Sequence, residues 1–204
     1  AIPKVYAVGK ETEDRKSNPQ GKQTADFLLD FLRSAEEERY CDLRIKWDAG
    51  QSGKVENDNN GPEDPGLCAH RIILDGVSNY FRAKLRNEMF NERTIDVSKA
   101  SDKGEALSKK NAIALRTALY LEQAGLEELK KHIKIDPYQN PLVLYEYAKE
   151  YGMPVLMIYL EEVITESTDN QNFGLLFGYA LNNDRLEFAS NIAKKIHNLE
   201  GLET

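Results

Sequence analysis

Gln139, Asn140, Leu144, Tyr147, Ala148 and Ile164 recur as Gln171, Asn172, Leu176, Tyr179, Ala180 and Ile196, each 32 residues further along the chain. No other feature constrains the fold as much. A unit of roughly 20 to 45 residues is too short to bury its own apolar face, and it becomes stable by stacking on a neighbour. Here the unit reads as a helical hairpin. "NPLVLYEYAKEYGMPVLMIYLEEVI" carries two helices, because Gly152 and Pro154 end the first and open the second at its N1 position. Two copies are too few for a solenoid. Any two amphipathic hairpins also share some matches, so the pattern alone leaves open whether the echo is architectural.

Shorter periods govern the chain before these hairpins. "CDLRIKW" alternates Leu43, Ile45 and Trp47 with Asp42, Arg44 and Lys46, the pattern of a half-buried strand. "LCAHRIILDGVSNYFRAKL", from Leu67 to Leu85, reads as a strand ending at Cys68 and Ala69. After it, Ile72, Ile73 and Leu74 are expected to enter the core, and Ser78 to cap a helix carrying Tyr80, Phe81 and Leu85. A third short strand is predicted around Ile95 and Val97. Thr24 is a plausible N-cap for a helix whose stripe is Phe27, Leu28, Phe31 and Leu32, continued in polar form through "SAEEERY". "NAIALRTALYLEQAGL" is a helix placing Ile113, Leu115, Leu119 and Leu126 among good helix formers, with Gly125 as its stop. Residues 48–66 and 100–110 are polar, turn-rich loops. Residues 1–23 read as a flexible arm in which "VYAV", Val5 to Val8, would pair as an edge strand only against another sheet.

Composition removes several functions. A formal charge of −7 and a pI near 5.2 repel a phosphate backbone, so direct nucleic-acid binding is not expected. Tyr145, Tyr147, Tyr151 and Tyr159 lack the interleaved cations of a base-stacking platform and read as core. No apolar run approaches the roughly 20 residues of a membrane span. Two cysteines, Cys41 and Cys68, make no disulfide framework and fit a reducing cytoplasm or nucleus. Phosphate-cradle, nucleophile-elbow and metalloprotease motifs are missing from the sequence. A metal site from Cys41, Cys68 and His70 would lack a fourth ligand. His70 is expected to turn inward and bond a backbone group, while His132 and His197 sit in Lys-rich surface stretches, and the Glu36 to Glu38 run is a solvated face. The chain is therefore read as non-enzymatic, with no catalytic residue, cofactor or metal.

The order of elements, with "YCDLRIKW", "CAHRIIL", "SNYFRAKL" and "TIDV", resembles the BTB/POZ domain. The resemblance spans about Thr24 to Ile164, carried by Asp42, His70, Ser78 and the Tyr80-Phe81 step; residues 165–204 resemble the start of a BACK-like helical extension. Two loops, 48–66 and 98–110, are longer than the family pattern. The resemblance implies an α+β fold, a small β-sheet flanked by a cluster of α-helices and followed by an additional helical hairpin. It also implies a homodimer interface at Phe27, Leu28, Phe31 and Leu32, and an adaptor recruiting a substrate protein to a cullin-3 ubiquitin ligase. Phe90-Asn91-Glu92 has the form of the cullin-binding element, though its register is shifted by about one residue. The alternative is a transcriptional or chromatin regulator whose dimer groove takes a corepressor peptide, with Asp42 and Arg71 as its charged pocket. A channel tetramerisation domain is a third option.

Overall fold

Alternation in the Cys41 to Trp47 stretch builds the central strand. The structure, a computed structural model, describes residues 19–47, 66–86, 93–96, 107–137 and 140–200. In β1 (Leu43–Lys46), Leu43 and Ile45 are buried and Lys46 faces water, with Trp47 buried just beyond. β2 (Leu67–Ala69) runs antiparallel to β1, with Arg44 opposite Cys68, and β3 (Thr94–Asp96) pairs parallel on the other edge, giving the order β2-β1-β3. Gly66, at φ +79°, opens β2. A Cβ there would stand 2.8 Å from the Ile45 carbonyl oxygen, so only glycine fits.

Helices surround this sheet. They are α1 (Pro19–Glu36), α2 (Arg71–Val77), α3 (Asn79–Arg86), α4 (Lys109–Leu121), α5 (Leu126–His132), α6 (Pro141–Glu150), α7 (Pro154–Glu166), α8 (Phe173–Asn182) and α9 (Leu186–Glu200). The arrangement is mixed α+β. α4 lies at the centre, touching α1, α2, α5, α6 and β2. That explains why Leu115, Ala118, Leu119, Tyr120 and Leu121 are all sealed, although they occupy several sides of the helix. Ile113 lies toward solvent instead. No helix among the described residues is long and apolar enough to cross a membrane.

Four expectations shift. α1 starts at Pro19, five residues before Thr24, because proline suits the first helical turn. The apolar run after His70 is itself a helix, so its 100° step sends Ile72 out to 72% exposure while Ile73 and Leu74 are buried. α5 was not expected: after Gly125, at φ +92°, the chain resumes a helix instead of ending one. Cys41, just before β1, and Cys68, in β2 opposite Arg44, are joined in a disulfide, Cα to Cα 5.5 Å. The argument from free thiols to a reducing compartment therefore falls away. The "VYAV" segment, Val97 and the two long loops lie mostly outside the described residues.

The 32-residue echo is architectural. α6 and α8 have the same length and starts 32 residues apart, as do the starts of α7 and α9. The turn inside each hairpin repeats bond for bond. Gly152 N donates to Lys149 O (3.2 Å) and Met153 N to Ala148 O (2.8 Å); Asp184 N donates to Leu181 O (3.0 Å) and Arg185 N to Ala180 O (2.9 Å). Gly152 at φ +65° and Asp184 at φ +55° occupy the same left-handed step. Tyr145, Tyr147 and Tyr151 are fully buried in the first hairpin, as core residues.

Candidate protein-interaction surface

α1 divides its apolar side chains between two destinations. Leu28, Leu32 and Ala35 follow the helical spacing into the protomer's own core. Phe27, one step round the helix, is 58% exposed, and Phe31 is half-buried at the boundary. Of the four side chains expected at a dimer interface, Leu28 and Leu32 are thus already covered by their own chain. Phe27 and the edge of Phe31 remain.

These rings are wired to the interior. Phe27 meets Phe31 with centroids 4.9 Å apart, Phe31 meets His70 edge-on at 5.2 Å, and His70 meets Tyr120 at 6.0 Å. His70 is buried, but its partner is not the backbone group expected from sequence. The Tyr120 hydroxyl accepts from the His70 backbone N at 3.0 Å and lies 2.7 Å from His70 Nδ1. One proton lies between the hydroxyl and Nδ1, and the tautomer of the ring sets which of the two donates. Burial holds the Tyr120 hydroxyl well above the usual tyrosine range. The histidine is structural.

Asp42 and Arg71 are brought together. Asp42 Oδ1 accepts from the Arg71 backbone N at 2.9 Å, which caps α2 in place of the N-cap residue His70, whose side chain makes no cap bond. Ser78 opens α3 as expected: its hydroxyl accepts from Phe81 N (3.4 Å) and also donates to the Tyr151 carbonyl (2.5 Å), tying α3 to the end of α6. Phe90 and Glu92 lie outside the described residues.

The chain matches no protein-family model and no curated protein.

Two residues of this region were missed from sequence. Tyr120 sits in a run of helix formers that does not mark it. Arg116 is the lone charge between Asn111 and Leu121, and that isolation was the available signal. It is 6% exposed, its nearest carboxylate is Glu36 at 3.7 Å, its Nε has no hydrogen-bond partner, and burial pulls its pKa below the ordinary arginine range. Within the Glu36 to Glu38 run, Glu36 faces Arg116 and Glu38 meets Arg44 at 3.3 Å. His132 is exposed beside Glu128 (3.3 Å), and His197 is exposed.

A half-open pocket of about 130 Å³ between α4 and the Ile133 to Asp136 segment is lined by Lys110, Thr117, His132 and Lys134. Ligand sites usually occupy about 300 to 1,000 Å³. Among the described residues, no group of three or more His, Cys, Asp or Glu side chains is placed to hold a metal.

Proposed function

We propose that the protein is a non-enzymatic interaction module of the BTB/POZ type, which self-associates through α1 and adapts a bound protein to a cullin-3 ubiquitin ligase. The observation that carries self-association is Phe27, a phenyl ring 58% exposed on a helix whose opposite face is fully packed. Burying one such side chain contributes about 1.5–3 kcal/mol, and a two-fold contact uses it twice. The element order supports the family reading: a helix, an antiparallel strand pair, a buried histidine at the strand-helix junction, a serine-capped helix, a parallel third strand and a helical hairpin. The adaptor role rests on the resemblance, including Phe90 and Glu92.

The test is direct. Phe27→Glu is expected to convert a dimer by light scattering into a single chain with an unchanged fold, since the side chain is mostly in water. Calorimetric titration with the N-terminal region of a cullin checks the adaptor role separately; silence there discards that role and leaves self-association standing. A second reading, the corepressor groove, rests on the resemblance alone, because Asp42 meets the backbone N of Arg71 and caps α2. Under it, a corepressor peptide binds the wild type and is lost in Asp42→Asn.

A further inference from the structure

We infer that the pocket between α4 and the segment after α5 docks a carboxylate side chain of an acidic peptide, presented by a partner protein. α1 contributes no lining residue, so the inference goes beyond self-association through Phe27. One wall is a stripe of α4. Lys110, Ile113, Ala114 and Thr117 stand at i, i+3, i+4 and i+7, and helical spacing sets them along one side. The other wall is Ile133 to Asp136. It is extended at Ile133 (φ −116°, ψ 125°), and the sealed Ile133 and half-buried Ile135 alternate with the exposed Lys134. The Tyr159 hydroxyl donates to the Ile133 carbonyl at 2.9 Å, which ties this wall to α7 without any ligand.

Two groups are left for a ligand. Thr117 lines the pocket at 6% exposure, and its hydroxyl takes part in no hydrogen bond among the described residues. A buried hydroxyl without a partner costs free energy, and a rotating hydroxyl donates readily to a carboxylate oxygen. Lys134 is the second. The ion pairs of this face are Lys110 with Asp136 (3.4 Å), His132 with Glu128 (3.3 Å) and Lys131 with Glu128 (2.7 Å), and Lys134 belongs to none of them. Asp136 also lines the pocket, and its contact with Lys110 offsets its charge. From Leu129 to Ile135 the sequence carries Lys130, Lys131, His132 and Lys134 and no acid, on a chain of net charge −7. The field of this face is therefore opposite in sign to that of the whole chain, and it selects an acidic partner.

Size separates a presented side chain from a free ligand. The volume of about 130 Å³ is slightly below the roughly 150 Å³ cavity that takes benzene, so about six heavy atoms fit. That suits a glutamate side chain and falls well under the roughly 300 Å³ of a small-molecule site. Ile113, Ala114, Ile133 and Ile135 match its methylenes, and the Thr117 hydroxyl meets its carboxylate. Lys110 and Lys134 then remain for the flanking acids of the same peptide.

NMR titration of the isotope-labelled full chain with N-acetyl-hexaglutamate amide tests this. Amide shifts are expected at Ile113, Ala114, Thr117 and Ile133 to Asp136, and none with the matching hexaglutamine peptide. Lys134→Glu should weaken binding at least about tenfold, and Thr117→Val about threefold to tenfold at an unchanged melting temperature. Asp136→Asn should tighten it about twofold to fivefold by releasing Lys110. Lys194→Glu makes the same charge change at an exposed position of α9 and should leave affinity within about twofold. Absence of shifts up to about 10 mM peptide, shifts scattered over other lysine-rich stretches, or equal losses from Lys134→Glu and Lys194→Glu would overturn the inference. Glutarate bound as tightly as the peptide would make this a free-acid site, and a lower light-scattering mass for Lys134→Glu would make the occupant another copy; either result overturns the assignment to a partner peptide.

Discussion

The hairpins α6-α7 and α8-α9 share a backbone and differ in what they meet. Their turns are made by the same hydrogen bonds, whether glycine or aspartate takes the left-handed step. Their packing is graded. Tyr147 is sealed, whereas its counterpart Tyr179 is half-buried; Leu160 and Ile192, at equivalent points of α7 and α9, are both sealed. Local geometry is set by a few residues around the turn. The character of each outer face is set by what lies against it, and that freedom is where the two copies have parted.

The widest separation is expected at the tyrosines. Tyr147→Ala should cost about 3–5 kcal/mol in urea unfolding and Tyr179→Ala less than half of that, because only the first empties a sealed site. Equal losses would erase the grading. Next comes Glu161, which accepts from the Tyr145 hydroxyl (2.8 Å) and from Arg185 (2.7 Å) and so ties the two hairpins together. Glu161→Ala should cost about 2–3 kcal/mol, and a double-mutant cycle with Arg185→Ala should return a coupling of about 1 kcal/mol or more. Its own counterpart is already Ala193, so the tie is made once.

The turns give a smaller, two-signed pair. Gly152→Ala should destabilise by about 1–2 kcal/mol, while Asp184→Gly is neutral or stabilising, both read as shifts in midpoint at constant m-value. The smallest effect concerns Glu122, whose carboxylate reaches from a 3-10 turn (Glu122–Ala124) to accept from Val155 N (2.6 Å) and Leu156 N (3.2 Å) at the start of α7. Burial outweighs those two bonds and holds the carboxyl above its ordinary value. A native state that keeps its proton longer than the unfolded chain loses stability as pH rises through the ordinary carboxylate range to that raised value. Glu122→Gln should remove this slope, favouring the variant at neutral pH relative to acid by about 1 kcal/mol or less.

Periodic features were legible in the sequence. Alternation located β1 and its buried face, Pro154 and Gly152 marked the first hairpin, and six matched residues announced the second. What escaped depends on partners distant along the chain. Ile72 lies in an apolar run that suits a core as well as a short helix, and only the helical step turns it outward. His70 advertises a need for a hydrogen bond without naming Tyr120, 50 residues away. The Cys41–Cys68 bond closes a 27-residue separation, which composition does not report. On α1 the stripe of four apolar residues was evident, but which of them the protomer keeps for itself is decided by how α1 lies on α4 and β2.

The claim on which the functional account depends is that the protomer leaves Phe27 for another copy to cover. Light scattering on the purified full chain, wild type beside Phe27→Glu, tests it most directly. The account expects the wild type at no less than twice the 23.2 kDa of one chain, and a lower mass for the variant at equal concentration. A wild-type mass of 23.2 kDa that does not change on concentration would contradict it.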